Sequence, residues 1–330
     1  SWSDERVRAE EWPMSEIIIH HYPVSPGAEK LRAGLGLKKL AWRSVEHNRL
    51  PDRPELFAMT GGYRRIPVLQ VGNDVVCDTA LICDVLEHLQ PTPTLYPSVQ
   101  GQTSKGAERI MAQWADTTLF AAAMAYNFSP KGAEHFFAGQ PPEAVKVFAE
   151  DRKAMRGGAA RMHPGDATAA YKSYLRRIAS MVDDQPFVLG AQPTVADFAC
   201  YHPLWFTRRI EPIAHIFEPT PSVVAWMDRI AALGHGTAVK SSATESIASC
   251  ADNTPAKGLF DLENDVFQDE HGIPLGSRVS ITAESFGLEA TEGELVAATR
   301  TRYTLRRTDE RAGTVHVHFP RVGFAMKAVA

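Results

Sequence analysis

Two short motifs that lie close together constrain this chain more than any other feature of its sequence. Pro67 stands where an apolar strand signal at residues 66–69 begins, a position at which proline is tolerated in a strand. Eleven residues after that proline, Asp78-Thr79 opens an apolar helical stretch that continues through Leu89. The pair therefore predicts a strand that begins at a proline and, further along, a helix that begins at an acidic residue.

A second constraint lies upstream of these motifs. The β-branched run at residues 17–19 predicts a buried strand. Ser25 then stands where a helix should begin, with Pro26 in the favoured first helical position. In chain order the signals predict strand, helix, strand, short helix, strand, strand and helix. Such a layout leaves backbone donors and acceptors free around one cleft.

This order and its motifs resemble the thioredoxin-like domain of the cytosolic glutathione transferases. The segment Ser-Pro-x-Ala-x-Lys-x-Arg at residues 25–32 is similar to that of the serine- and cysteine-type members, whose catalytic residue starts the first helix. The resemblance makes Ser25 the catalytic residue. It also implies a cis peptide bond before Pro67, with the backbone of Ile66 pairing with the cysteinyl part of glutathione.

The same resemblance assigns the two ends of glutathione. Asp78 and Thr79 correspond to the acidic and hydroxyl pair that binds the γ-glutamyl end, although the family commonly has Glu-Ser there. A hydroxyl and free amides at a helix N-terminus favour a carboxylate through the helix dipole. Arg64 or Arg65 would meet the glycyl carboxylate as a fixed cation, and Arg65 is the residue that we assign.

A further match lies far downstream, at residues 190–198. Thr194 and Asp197 fit a capping box, in which each side chain accepts a hydrogen bond from the backbone near the other. The pattern resembles the helix-capping signature of the all-helical domain in the same family. The resemblance covers residues 14–235.

Activation of glutathione sets a clear chemical demand on Ser25. A free thiol has a pKa of about 8.5, and lowering it by about two units requires roughly 2.7 kcal/mol of preference for the anion. The neutral hydroxyl does not act as a base, but it can donate a hydrogen bond to the sulfur at the positive end of the helix. The alternative interpretation of Ser25 is a helix N-cap alone, worth about 1 kcal/mol.

Aromatic residues are the candidates for the second-substrate pocket. Tyr22 is the rival catalytic residue, because some classes of the family use a tyrosine near the end of the first strand, and we assign it to the pocket instead. Trp114 and Tyr126, together with Phe120 and Phe128, would line the pocket from the helical domain. Aromatic residues at helical spacing are more often part of a core.

The chain divides into segments of different composition. Residues 1–13 are interpreted as a leader or a cloning scar, and residues 237–260 as a linker with one short helix. Between them we predict the thioredoxin-like glutathione-binding domain at 14–96 and the all-helical domain at 97–236. A small all-β, barrel-like module follows at 261–330.

The last module is predicted from five strand signals that alternate with turns. They fill about 55 residues, a density typical of small closed or half-closed barrels. We expect this module to fold around its own core and to take no part in the chemistry. The strand signals lie at residues 278–282, 294–298, 302–306, 314–319 and 324–327.

Two clusters in the module have a simple and a more specific interpretation. His316 and His318 share one strand face, but no third ligand is evident nearby, so solvated or partner-facing histidines are favoured over a metal site. Arginines also gather in and beside one hairpin. A charged hairpin face is the simple interpretation, and an anion or partner site is the specific one. These arginines are residues 300, 302, 306, 307 and 311.

Composition excludes several functional classes. The net charge of −4 gives no general attraction to nucleic acid or to an anionic membrane. No apolar run approaches about 18 residues, so no membrane span is predicted. The four cysteines form no pair with metal-ligand spacing and favour reduced thiols in a cytoplasmic protein. We therefore predict no metal and no cofactor other than glutathione as co-substrate, and the resemblance adds a homodimer.

The function that the resemblance implies is attack of the glutathione thiolate on an electrophilic small molecule, as in detoxification. Two alternatives remain open at this point. One is a non-catalytic protein of the same fold that uses its cleft or its C-terminal module for binding. The other is a glutathione-dependent lyase or ether-cleaving enzyme, which needs the same thiolate and a different pocket.

Overall fold

The computed structural model describes residues 17–50, 53–97, 105–252 and 259–330. The segment interpreted as a leader or a cloning scar, residues 1–13, lies outside them. A thioredoxin-like part, an all-helical domain and an added C-terminal β-module follow one another along the chain, as predicted. No helix among the described residues is long and apolar enough to cross a membrane.

The thioredoxin-like part has the element order that its motifs predict. Its elements are β1 (Ile18–His21), α1 (Pro26–Lys38), β2 (Ala41–Glu46), α2 (Pro54–Thr60), β3 (Val68–Val71), β4 (Asp74–Cys77) and α3 (Thr79–Leu89). Strand β1 runs parallel to β2 and antiparallel to β3, and β4 pairs antiparallel with the other side of β3. The N-termini of α1 and α3 consequently lie near each other at one end of the sheet.

The helical domain packs around one apolar core, in which Trp226 and Phe198 are fully buried. A π-helical turn at Ala115–Leu119 joins its first two helices, and a 3₁₀ segment at Glu211–Phe217 precedes its last helix. The helices are α4 (Lys105–Trp114), α5 (Phe120–Asn127), α6 (Pro130–Phe136), α7 (Pro142–Arg156), α8 (Pro164–Val182), α9 (Val195–Arg208) and α10 (Pro221–Ala231).

The predicted capping box is present at the start of α9 and is confirmed. Thr194 Oγ1 accepts from the Ala196 amide at 3.0 Å, and Asp197 Oδ2 accepts from the Thr194 amide at 2.8 Å. The other carboxylate oxygen of Asp197 accepts from the Val188 amide and from Trp226 Nε1. The box therefore fixes the helix start and the neighbouring loop to the core at the same time.

The C-terminal residues extend both edges of the thioredoxin-like sheet. The added elements are β5 (Thr237–Ser241), α11 (Ala243–Asp252), β6 (Arg278–Ala283), β7 (Thr291–Ala298), β8 (Arg302–Asp309), β9 (Gly313–Pro320) and β10 (Phe324–Ala328). Strand β5 runs parallel to β2, and β9 runs parallel to β4. Within the described residues the result is one ten-stranded sheet in the order β10-β6-β7-β8-β9-β4-β3-β1-β2-β5.

The expectation that the C-terminal module has a core of its own is wrong. One apolar cluster contains Met59 and Val75 of the thioredoxin-like part together with Leu305, Val317 and residues of α11. Five short strands bury only a modest apolar surface of their own, which makes such a module marginally stable by itself. The unpaired edge of β4 supplies the backbone partners that β9 needs, so the module continues an existing sheet.

Candidate functional site

A cavity of about 710 Å³ lies between the thioredoxin-like part and the helical domain. The N-termini of α1 and α3 and the loop before β3 form one side of it. Helices α5, α6 and α7 form the other side, with aromatic side chains facing inward. Apart from Trp114 and Tyr126, every site residue assigned from the sequence lines this cavity: Tyr22, Ser25, Arg65, Ile66, Pro67, Asp78, Thr79, Phe120 and Phe128.

Ser25 is the N-cap of α1, as its sequence position predicts. Its backbone is extended, Pro26 follows as the first helical residue, and its hydroxyl oxygen accepts from the Ala28 amide at 3.2 Å. Among the described residues the hydroxyl donates to no acceptor, so its hydrogen is available for a ligand. A hydroxyl can accept and donate at once, so capping and sulfur binding are compatible roles.

The loop before β3 lies against the start of α1. The Ile66–Pro67 peptide bond is cis, as the family resemblance implies. A side chain at Gly27 would place its Cβ 3.1 Å from the Ile66 carbonyl oxygen, which is tighter than ordinary contact. The glycine inside the Ser-Pro-Gly-Ala motif therefore lets the backbone at Ile66 approach the start of α1.

Asp78 and Thr79 form the start of α3 at the same end of the sheet. Asp78 has a φ of 76° and caps the helix by accepting from the Ala80 amide at 2.9 Å. A non-glycine residue in this left-handed region is uncommon, and such residues occur preferentially at ligand sites. The hydroxyl oxygen of Thr79 accepts from Lys30 Nζ at 2.9 Å, which leaves its hydrogen available.

A buried charged network behind these helix starts was missed from the sequence. Lys30 Nζ lies 2.6 Å from Asp116 Oδ2, and the other Asp116 oxygen lies 3.0 Å from His202 Nε2. Burial is the largest influence on the pKa of Lys30 and lowers it, but the charge and hydrogen bond of Asp116, together with Cys83 and Asp78, raise the pKa overall. Burial lowers the pKa of His202, although Asp116 opposes the shift.

The position of Asp116 follows from the π-helical turn between α4 and α5. The extra residue of a π turn rotates its neighbours, and such turns are frequent at functional sites. Asp116 and His202 both line the cavity. The motif identified Lys30 as part of a pattern, but its partner lies 86 residues away, and no local signal joins the two.

The two arginines before the cis bond have different surroundings. Arg64 is held by Asp151 of α7 at 2.5 Å and by Glu289 of the C-terminal module at 2.7 Å. Arg65 lies with its guanidinium 5.7 Å from the centre of the Tyr63 ring, and no described carboxylate pairs with it. Its buried Nε has no hydrogen-bond partner. Of the two, Arg65 is the cation left available to a ligand.

Two of the predicted pocket residues face away from the cavity. Trp114 packs edge-on against Tyr174, and the Tyr126 hydroxyl donates to the Ile213 carbonyl at 2.8 Å. Both assignments are wrong, because the rotation of α4 and α5 turns these side chains into the helical core. Tyr22 does line the cavity, beneath the Arg53 guanidinium at 5.6 Å.

The C-terminal module reaches the cavity through the loop between β6 and β7. Ser285 and Phe286 line it, and the Gly287 amide donates to the Met155 carbonyl of α7 at 2.8 Å. The module therefore borders the cavity, and the expectation that it takes no part in the chemistry stays a prediction. No sequence signal pointed to this loop, because it is the extension of the sheet that carries it across to α7.

Other candidate chemistry in the described residues is not supported. No cluster of three or more metal-ligating side chains is present there. His318 is fully buried and bonded to Asp74 and Thr304, so it takes part in a structural network. Burial raises the pKa of the thiols of Cys77 and Cys83, the latter to about 12, which makes both poor nucleophiles.

Comparisons with known proteins agree with this geometry. The family model for the N-terminal domain of glutathione S-transferase matches residues 19–94, and the model for the C-terminal domain matches residues 146–229. FtsZ-localized protein A of Caulobacter vibrioides is 27% identical over 191 residues, which are 56% of this chain and 74% of that protein.

A solved structure extends the likeness to the whole chain. A GST-like protein from Pseudomonas syringae is 36% identical, with a TM-score of 0.76, and the match covers 96% of this chain and 100% of that one. The likeness therefore includes the added C-terminal module. On this identity and coverage, the chain belongs to the glutathione S-transferase family.

Proposed function

We propose that this protein is a glutathione transferase that activates the thiol of glutathione for attack on an electrophilic small molecule. The observation that carries the proposal is the Ser25 hydroxyl, which caps α1 through its oxygen and keeps its hydrogen available at the cavity. A thiolate at this position would receive that hydrogen bond and the positive end of the α1 dipole.

The surrounding groups fit the two ends of glutathione. The γ-glutamyl carboxylate would lie at the N-terminus of α3, near the Thr79 hydroxyl, with the Asp78 carboxylate beside the α-ammonium. Arg65 would pair with the glycyl carboxylate. The backbone at Ile66 would bind the cysteinyl part and so direct its sulfur toward Ser25.

The reaction is a substitution whose balance needs no further reagent. The thiol loses its proton to solvent, and the sulfur lone pair forms a C–S bond to the electrophilic carbon. The bond to the leaving group breaks, and the leaving group departs with the bonding electron pair. The protein contributes by keeping the sulfur ionised and by excluding water from the pocket.

The test is the thiol pKa of bound glutathione, read from thiolate absorbance against pH. We expect Ser25→Ala to raise that pKa by about one unit or more, because a charge-assisted hydrogen bond is worth about 1.5–3 kcal/mol. Ser129→Ala is the matched control, since Ser129 is also an N-cap but makes no side-chain cap bond and does not line the cavity. An unchanged pKa in Ser25→Ala removes the proposed role.

A non-catalytic binding role is the second candidate. The observation that favours it is the likeness to a protein named for its localisation with FtsZ. Retention on immobilised glutathione without turnover of any electrophile in a broad panel would support this candidate over the transferase. The homodimer and the cytoplasmic location that the family resemblance implies remain predictions.

A further inference from the structure

The charged side chains around the cavity are strongly unbalanced. Among the described residues that line it, seven are arginines and only three are carboxylates, Asp78, Asp116 and Asp151. Each carboxylate already has a partner in the protein. Asp78 caps α3, Asp116 binds Lys30 and His202, and Asp151 binds Arg64 and Arg152.

Only some of the seven arginines have a carboxylate or a backbone carbonyl as a partner. Arg64 and Arg152 pair with Asp151, and Arg53 donates to three backbone carbonyls. The other four, at positions 49, 65, 156 and 161, pair with no carboxylate of the described residues. Unpaired like charges around a partly enclosed apolar cavity repel one another and focus a positive potential into it.

The apolar side of the same cavity is aromatic. The ring centre of Phe136 lies 5.8 Å from that of Phe148 and 5.5 Å from that of Phe206, and Phe128 lies 5.9 Å from Phe148. Two guanidinium groups lie over this aromatic wall. That of Arg49 lies 5.0 Å from the centre of Phe136, and that of Arg152 lies 4.4 Å from the centre of Phe148.

Glutathione accounts for only part of the positive charge. It carries two carboxylates and one ammonium, and in the proposed pose they use the N-terminus of α3, Asp78 and Arg65. Arg49, which lies over Phe136, and Arg156 and Arg161, which line the same cavity, then remain without a group of glutathione to pair with. A neutral hydrophobic electrophile would leave the half-buried Arg49 and Arg156 without a counter-charge.

We propose that the second substrate is an aromatic anion, a ring that carries a carboxylate, sulfonate or phosphate group. The ring lies against Phe136 and Phe148, and the anionic group pairs with Arg49 and Arg156. This inference rests on the proposed transferase function for its chemistry, but the binding preference itself does not require turnover. Specificity of this kind is set by a charge pair that a neutral analogue leaves unmade.

The binding test compares dinitrobenzoate with dinitrobenzene, which lacks only the carboxylate, by calorimetry in the presence of glutathione. We expect the wild-type protein to bind the anion at least about tenfold more tightly. The Arg49→Gln/Arg156→Gln double variant should lose most of that preference and keep its affinity for glutathione and dinitrobenzene. Arg300→Gln, which changes an exposed arginine outside the cavity, is the matched control.

Equal binding of the two rings by the wild-type protein overturns the inference. An equal loss in Arg300→Gln and the double variant also overturns it, and so does a loss of glutathione affinity in place of anion affinity. If the double variant does not fold, the wild-type preference is followed against ionic strength. The preference for the anion should fall as the salt concentration rises, because salt screens the charge pair. A preference that stays constant overturns the inference.

The turnover test separates this inference from the proposed function. Chlorodinitrobenzoate and chlorodinitrobenzene are compared after division by their uncatalysed rates with glutathione, since chloride leaves in both reactions. Turnover of both without preference overturns the anion inference and leaves the transferase intact. Preferential binding of the anion without turnover of either compound supports the anion site, and absence of turnover across the broad electrophile panel as well overturns the transferase.

Discussion

Two buried polar networks join the thioredoxin-like part to the rest of the chain, and they differ in what lies beside them. The first, Lys30, Asp116 and His202, connects α1 to the helical domain and borders the cavity. The second connects β4 to the C-terminal module and has no cavity residue in it. Its members are Asp74, Asp265, Arg302, Thr304 and His318.

The second network has a consistent direction of hydrogen bonding. Arg302 donates to Asp265 at 2.6 Å and also to Thr304, whose hydroxyl then donates to His318 Nδ1 at 2.7 Å. His318 Nε2 donates to Asp74 at 2.6 Å. Burial lowers the pKa of His318 to about 4, so the ring is neutral at neutral pH and its Nε2 carries the proton.

The difference shows two uses of buried polar groups in one molecule. The sealed network links β4, β8 and β9 through Asp74, Thr304 and His318 and so holds the added strands in register. The network beside the cavity leaves Asp116 partly exposed and ends at Thr79, which meets the ligand in the proposed function. We therefore expect changes in the first network to affect ligand binding and changes in the second to affect stability alone.

The largest effect should come from removing the added strands. A chain that ends after Asp252 loses β6–β10 and exposes Leu56, Met59 and Val75, which lie in the shared core. We expect it to show no cooperative thermal unfolding by circular dichroism, because that core is left open to water. A truncated protein that melts cooperatively and binds glutathione would contradict the shared core.

The next largest effect should come from His318→Ala. It leaves the buried Asp74 carboxylate without its side-chain hydrogen-bond donor, and removing a donor from a buried charged acceptor costs about 3 kcal/mol or more of unfolding free energy. His316→Ala is the matched control on the same strand, because neither ring nitrogen of His316 has a hydrogen-bond partner among the residues that the structure describes. The control should cost less than about 1 kcal/mol. Denaturant titration measures both.

Asp116→Asn should have a smaller effect on stability and a distinct effect on binding. It leaves Lys30 buried without a counter-charge, at an expected cost of about 2–3 kcal/mol, since Asp116 is partly exposed. The freed Lys30 should no longer fix Thr79, so glutathione affinity measured by calorimetry should fall by about tenfold. If glutathione affinity stays unchanged while stability falls, the two networks do not differ in the way described.

The smallest of these effects concerns pH. The folded protein lowers the pKa of His318 to about 4 from 6.5, so the unfolded chain takes up its proton first as the pH falls. This contribution to stability is complete above pH 6.5 and is lost as the pH falls toward 4, by about 1–2 kcal/mol at pH 5.

His318→Gln removes this titration and should flatten the change in unfolding free energy between pH 7 and pH 5 relative to the wild-type protein. His20, His21 and His47 keep their own lowered pKa values, so part of the slope remains. The unfolding midpoint against denaturant at the two pH values measures both proteins. An identical slope in the two would show that His318 is not the group that titrates.

The sequence predicted the parts of the site that short-range contacts build. Ser25 caps α1, Asp78 caps α3, and Thr194 and Asp197 form a capping box over four residues at the start of α9. Such features depend on neighbours in the chain, so a motif of a few residues is enough to specify them. The order of elements and the cis bond at Pro67 were accessible through the resemblance of these motifs to a family.

Only the tertiary structure decided which distant groups meet. Strand pairing uses backbone atoms that all residues share, so no side-chain pattern indicated that β9 would pair with β4. For the same reason, no pattern in the sequence indicated that Phe286 lies at the cavity or that Asp116 pairs with Lys30. Helix rotation, set by packing, turned Trp114 into the core, because an aromatic residue fits either face of a helix until its neighbours are in place.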